Sequence, residues 1–460
     1  MHTLHVFFSL VPFAMSFLRD RRRWIWWGAP MVRSPEDHEH RAQRLVATIV
    51  RLGPTFVKMA QVFASRADII PEPYLSQLGT LTDQVPPMPF ADVERTVRES
   101  YDRGVDEVFQ DFEREPVAAA SLGQVHRARY QGQLVAVKVL RPNVERAVAS
   151  DLKAGRRILS WVRRWWNHPE ITRIGIVLEE FSVRIGEEMD FRLEGEYCTE
   201  IGANFANNNL VIIPKVVPEL TRQRVLVEEF IEGVRIDRLK PEQVNVRRIV
   251  QTLIELYVQM MFIDGLFHAD PHAGNLMLAP DGRIVLVDFG MVVRVELDTR
   301  RRLIRMVSAA VERDIDATTQ GFWDLGCVLP EADPKQIRWL AELLIANAYS
   351  RTTTKERIDQ LIADNVMKTL FDFPVILPHH LVYFARAATL IEGIGTRYDP
   401  YFQALPVASP VFLRMRSRML RSLGEPLEPS MTEIATVAGY ALGKALEWAK
   451  NVWGNAEARP

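Results

Sequence analysis

The sequence predicts an α+β protein: a small strand-rich lobe, a connector and a large helical lobe, with a helical extension in front. Three observations predict it. Pro116 to Leu140 and Arg224 to Gly233 hold Val-rich, alternating runs punctuated by Gly132 and Gly233, the patterning of strands and a hairpin. Beyond Pro241 the chain is mostly helical to about Leu446, apart from a strand-like run at Arg283 to Asp288 and Pro-rich breaks near Pro374–Pro378 and Pro400–Pro410. The 460 residues exceed what one hydrophobic core holds, so two or three packed units are expected.

Taken in order, residues 1–41 form an apolar and basic segment followed by a linker. Val6 to Leu18 is apolar and leads into Arg19, Arg21, Arg22 and Arg23, then Trp24, Trp26 and Trp27. It is too short to span a bilayer and has neither the basic start nor the cleavage site of a signal peptide. Its order of apolar, basic and tryptophan residues suits a membrane interface, and also a helix packed on its own protein. Pro30 to Arg41 is polar and reads as linker. Residues 42–115 form the helical extension, with one helix closed and the next opened at Leu52-Gly53-Pro54. Lys58 and Gln61 share a face of the second helix. Phe90 to Tyr101 is a short amphipathic helix. Residues 116–232 form the strand-rich lobe, including helices over Val144–Trp166 and Ile176 to about Asn207. Residues 233–430 form the helical lobe. Residues 431–460 hold an amphipathic helix, Met431 to Trp453.

Composition excludes several classes. A net charge of −1 offers no case for nucleic-acid binding. The two cysteines, Cys198 and Cys327, form no framework and point to a reducing, cytoplasmic setting without a zinc cluster.

The chemistry concentrates in Phe267-His268-Ala269-Asp270-Pro271-His272-Ala273-Gly274-Asn275 and Val285-Leu286-Val287-Asp288-Phe289-Gly290. An Asp, an Asn five residues on and a second Asp after a strand follow the order of a phosphoryl-transfer site. Asp270 would orient a hydroxyl or water. Asn275 and Asp288 would hold Mg²⁺, whose hard oxygen preference matches them. His268 and His272 do not read as a zinc pair, because Pro271 lies between them and no H-E-x-x-H pattern is present. Lys138, ending Val-Ala-Val-Lys, is placed to reach nucleotide phosphates as a point charge. It needs an acidic partner, for which Glu188, Asp190 and Glu194 are candidates. Ala118-Ala119-Ala120-Ser121 stands where a Gly-rich phosphate cover would be. Alanine reaches positive φ less readily than glycine, so this turn should be stiff. Val125, Glu229 and Ile231 complete the nucleotide-binding candidates.

These motifs together resemble the UbiB family of atypical protein-kinase-like ATPases, from about Leu52 to about Pro400. The resemblance implies a bilobal protein-kinase-like fold using Mg-ATP, in support of ubiquinone or other prenyl-lipid metabolism. The family's Ala-rich loop is similar to Ala118–Ser121, its strand lysine to Lys138, and its E-x-D motif to Glu188-Met189-Asp190. Its HxDPHPGN loop is similar to His268–Asn275 with Ala273 for proline, and Asp288-Phe289-Gly290 is unchanged. Its K-x-G-Q helix is similar to Lys58-Met59-Ala60-Gln61 with Ala60 for glycine. In the family that helix lies over the active site and occludes a protein-substrate groove, which gives Lys58 and Gln61 a role beside it. The implied partners are a nucleotide and prenyl lipids or lipid-modifying enzymes, with peripheral membrane contact. Two other readings remain: a small-molecule kinase of the aminoglycoside or choline type, and a nucleotide-binding scaffold with negligible turnover.

Overall fold

The computed structural model describes residues 2–21, 31, 33–64, 70, 73–81, 86–165, 169–240, 245–329, 332–349, 378–399 and 401–424. The predicted C-terminal helix Met431–Trp453 and the tryptophans at 24, 26 and 27 lie outside these residues. The chain divides into two units. The first comprises Met1–Ala203, Ile213–Glu232 and Asp288–Met291, and the second Asn204–Ile212, Gly233–Val287 and Val292–Pro460.

The helices are α1 (His2–Arg21), α2 (Pro35–Leu52), α3 (Pro54–Ala64), α4 (Tyr74–Gly79), α5 (Phe90–Tyr101), α6 (Val105–Val108), α7 (Val144–Trp165), α8 (Pro169–Glu188), α9 (Phe191–Asn204), α10 (Val246–Val258), α11 (Leu297–Glu312), α12 (Ile315–Asp324), α13 (Pro334–Ala348), α14 (His379–Tyr398) and α15 (Ala404–Ser422). The strands are β1 (Ala118–Ala119), β2 (Gly123–Tyr130), β3 (Gln133–Leu140), β4 (Val211–Ile212), β5 (Val225–Glu229), β6 (Val234–Arg235), β7 (Leu266–His268), β8 (Leu276–Leu278), β9 (Ile284–Leu286) and β10 (Val292–Arg294).

The first unit is built on an antiparallel sheet of order β1-β2-β3-β5. Gln131 and Gly132 turn β2 into β3 with φ of 51° and 80°, the positive pair that a two-residue hairpin requires. On one face, Val135, Val137, Val139, Val225 and Val227 pack against Val93 and Val97 of α5. Each such side chain contributes roughly 1.5–3 kcal/mol when fully buried. On the other face, Leu140 and Leu226 meet Val148 of α7, Phe181 and Ile185 of α8, and Val62 of α3. The α1, α2, α3 and α4 helices share a third cluster around Val6, Phe56 and Leu78. Gly123 opens β2 where a Cβ would lie 2.6 Å from the Val139 carbonyl oxygen, so this approach of two backbones excludes a side chain.

Two boundaries differ from the sequence reading. The expected linker Pro30–Arg41 becomes helix from Pro35. The Ser34 hydroxyl accepts from the Asp37 N–H at 3.1 Å, and the Asp37 carboxylate accepts from the Ser34 N–H at 3.3 Å. That capping box, with Pro35 at the first helical position, starts the helix in a polar stretch. The expected single helix over Ile176–Asn207 is two, α8 and α9. Asp190 separates them: its carboxylate accepts from the Arg192 N–H at 3.1 Å, and the Phe191 N–H turns away to the Gln223 carbonyl at 2.9 Å.

The second unit holds a sheet of order β4-β9-β8-β6 and a β7–β10 pair. Within it, α10 packs on α14 and α15. Phe262 stacks edge-on to Phe412 at 5.4 Å and to Phe384 at 6.0 Å. A π-helical turn, Gln259–Asp264, follows α10 and ends at Gly265 (φ 68°), which sends the chain into β7 and His268.

Candidate functional site

In the first unit the charged groups gather on the β3 side chain that alternation aims away from the valine layer. Lys138 Nζ lies 2.5 Å from Glu194 Oε1 and 3.3 Å from Glu228 Oε1. The three side chains are 12%, 6% and 4% exposed. Glu194 Oε1 also accepts from the Phe289 N–H at 3.1 Å. One carboxylate oxygen therefore ties β3, α9 and the Asp288–Gly290 turn together. Asp288 sits in the left-handed region at φ 66°, with Oδ1 accepting from the Gly290 N–H at 3.2 Å, while Phe289 is buried. Strain of this kind in a non-glycine residue concentrates at functional turns.

The electrostatics follow from burial. Desolvation opposes charge on Lys138, yet Glu194, Glu228 and Asp288 together hold its pKa well above the ordinary value. Burial pushes Glu194 up to about 7. Lys138 pulls it down, and Asp288 and Glu228 add to the rise. Carboxylates thus set the direction for Lys138 against its burial, whereas burial itself sets the direction for Glu194.

Of the three acidic candidates for Lys138, the fold delivers Glu194. Glu188 meets Lys58 Nζ instead, at 3.1 Å. Asp190 pairs with Arg192 through Oδ2 and Nη2 at 2.5 Å. Gln61 donates to the Leu81 carbonyl at 3.2 Å. The Ala118–Ser121 stretch differs from a simple turn: Ala118 and Ala119 form β1 against Val125 and Gln124, and the Ala120 N–H closes onto the Gly123 carbonyl at 2.8 Å. None of these alanines takes positive φ. The Ser121 side chain is buried. Val125 stands opposite Lys138 in the β2–β3 register. Glu229 ends β5 exposed, its N–H donating to the Lys215 carbonyl at 2.8 Å, and Ile231 is half-buried beyond it.

In the second unit, the β7–β8 loop carries Asp270 and Asn275. The Asn275 side-chain amide donates to the Asp270 carbonyl at 3.2 Å, and the Val287 N–H donates to the Asn275 carbonyl at 3.0 Å. Arg386 of α14 donates to Asp270 Oδ1 at 2.8 Å. His268 is fully buried, with Nδ1 3.2 Å from the Tyr257 hydroxyl. His272 is exposed and its Nδ1 accepts from the Gly274 N–H at 2.9 Å. Burial, reinforced by Asp270, raises the Tyr257 pKa well above its ordinary value.

Two participants escaped the sequence reading. Glu228 lies in an ordinary strand run, and only its burial beside Lys138 marks it. Arg386 lies 116 residues beyond Asp270 on a helix without motif. Among the described residues no group of three or more His, Cys, Asp or Glu is arranged to hold a metal. Asp288, in the first unit, and Asn275, in the second, each carry a side-chain oxygen, the donor type that hard cations prefer.

A small antiparallel sheet with a buried Lys–Glu pair, and an Asp-x-x-x-x-Asn loop in a largely helical unit, define a protein-kinase-like fold. Residues 80–321 match the ABC1 atypical kinase-like domain model. Arabidopsis thaliana ACTIVITY OF BC1 COMPLEX KINASE 3, chloroplastic, is 30% identical over 404 residues, covering 87% of this chain and 56% of that protein. An uncharacterized Synechocystis protein, slr1919, is 30% identical over 378 residues, covering 81% and 67%. The chain thus belongs to the ABC1/UbiB family of atypical kinase-like proteins. It spans 63%, 56% and 59% of the length of three such relatives. Among solved structures, Mycobacterium tuberculosis Rv3197, determined with erythromycin, shares the fold with a TM-score of 0.54 at 23% identity, covering 85% of this chain and 98% of that one.

Proposed function

We propose that this chain binds Mg-ATP and acts as an atypical kinase-like ATPase supporting ubiquinone or other prenyl-lipid metabolism at a membrane surface. The observation that carries the reading is the buried Lys138–Glu194 pair, whose carboxylate also holds the backbone beside Asp288. Lys138 supplies a fixed cation for phosphate, and Glu194 keeps it charged. Asp288 and Asn275 are the residues that would hold Mg²⁺, which when bound neutralises phosphate charge. Asp270 orients the acceptor hydroxyl or water. Lys58, locked to Glu188, and the non-glycine loop at Ala118–Ala120 support transfer to water or to a small or lipid acceptor over a protein side chain. Asp288→Asn should abolish Mg-dependent binding of ADP, measured by calorimetry; retained binding would remove Asp288 from the metal site.

The membrane side of the reading draws on a cavity of about 410 Å³ between α1 and α2, lined by Phe8, Pro12, Phe13, Arg44 and Arg51. Its apolar floor beside two arginines suits an amphiphile with an anionic head. Arg44→Glu/Arg51→Glu should reduce co-sedimentation of the full chain with anionic phospholipid vesicles. Equal pelleting would take this face out of the account.

A further inference from the structure

The charge balance around Lys138 is unequal in a telling way. Val125, Lys138 and Leu226 are neighbours across β2, β3 and β5, and Ala136 and Glu228 form the next rung on the same face. Glu228 is thus the acidic residue that the sheet itself brings to Lys138, whereas Glu194 arrives on α9. The two contacts differ. Glu194 lies at 2.5 Å and its oxygen has a second donor in the Phe289 N–H. Glu228 lies at 3.3 Å, and its buried Oε2 has no hydrogen-bond partner among the described residues. A buried carboxylate oxygen without a donor is unfavourable. Leu226, the preceding residue of β5 on the same face, is fully buried and apolar, so an apolar side chain at 228 would have an apolar neighbour there. With Asp288, three carboxylates influence one ammonium, leaving two negative charges in excess if all are ionised.

We propose that Glu228 is a built-in competitor for phosphate on Lys138: it occupies one donor direction of the ammonium, and bound nucleotide phosphate takes its place while Glu194 keeps its contact. An ammonium has three N–H donors, so it can serve Glu194 and a phosphate together. The longer, less supported contact is the one that yields. Glu228 thereby weakens nucleotide affinity, through both competition and repulsion of like charge. This sign separates the proposal from a purely structural role, in which losing Glu228 would loosen Lys138 and lower affinity. The inference rests on the nucleotide reading above.

The test is fluorescence titration of the full chain with N-methylanthraniloyl-ADP and magnesium, for wild type, Glu228→Gln, Glu228→Met and Glu194→Gln. Both Glu228 variants should bind about tenfold tighter, while Glu194→Gln binds more weakly. The methionine variant, of similar length and apolar, keeps the test open if the glutamine variant fails to fold, as judged by circular dichroism. Unchanged or weaker binding in a folded Glu228 variant overturns the proposal. If the folded wild type and all variants fail to bind the probe, the nucleotide reading falls and the proposal with it.

Discussion

Replacing Glu194 by glutamine perturbs the group on which the first unit's charged cluster hinges. The wild-type oxygen Oε1 accepts from Lys138 Nζ at 2.5 Å and from the Phe289 N–H at 3.1 Å. Removing one partner of a fully buried ion pair costs about 3–5 kcal/mol, because the other charge stays behind unpaired. Here Glu228 still faces Lys138 at 3.3 Å, and the glutamine carbonyl can still accept from Phe289. The local cost should therefore be nearer 2 kcal/mol, or about 30-fold in an opening equilibrium. Hydrogen exchange read by mass spectrometry on peptides spanning Asp288–Met291 tests this without assuming that the whole chain unfolds in one step. Exchange at the Phe289 amide should quicken about 30-fold at pH 8. The contrast should shrink at pH 6, because the Glu194 pKa of about 7 leaves the wild-type carboxyl largely protonated there. A change under about threefold at pH 8 would refute the claim that the charged carboxylate holds this turn.

Two further perturbations probe the scaffold. Gly123→Ala puts a Cβ 2.6 Å from the Val139 carbonyl oxygen. Overpacking of this kind should cost about 1–3 kcal/mol, seen as a lower thermal midpoint; an unchanged midpoint would mean the strands part without penalty. Asp264 is raised by burial from 3.8 to about 6. Folding therefore favours its protonated form, so its contribution is complete below 3.8 and is lost as pH rises through about 6. Asp264→Asn should flatten the fall in stability across that window by about 1 kcal/mol, a figure discounted for partial exposure. Identical urea midpoints for wild type and variant relative to each other at pH 5 and pH 8 would refute the assignment.

The sequence by itself determined what is written in local spacing. The Val-rich alternation and the Gln131-Gly132 turn carry the β2–β3 hairpin and place Lys138 on the face away from Val137 and Val139. The order of Lys138, Asp270, Asn275 and Asp288 carries the resemblance to the kinase-like family. The bounds of α5 were legible because its apolar period and its flanking Pro89 lie within a dozen residues. The start of α2 was also written there, in Ser34 and Asp37, but a polar composition masked it. Tertiary structure alone decided which acid serves Lys138. Glu188, Asp190 and Glu194 look equivalent along the chain, and a one-helix reading puts Asp190 and Glu194 on one face. The break at Asp190 turns α9 so that Glu194 enters the site, while Glu188 goes to Lys58 and Asp190 to Arg192. Glu228 reaches Lys138 through strand pairing, and Arg386 reaches Asp270 through the packing of α14. Contacts separated by tens to hundreds of residues leave no periodic trace, because their energy lies in burial and charge pairing that exist only once the elements have packed.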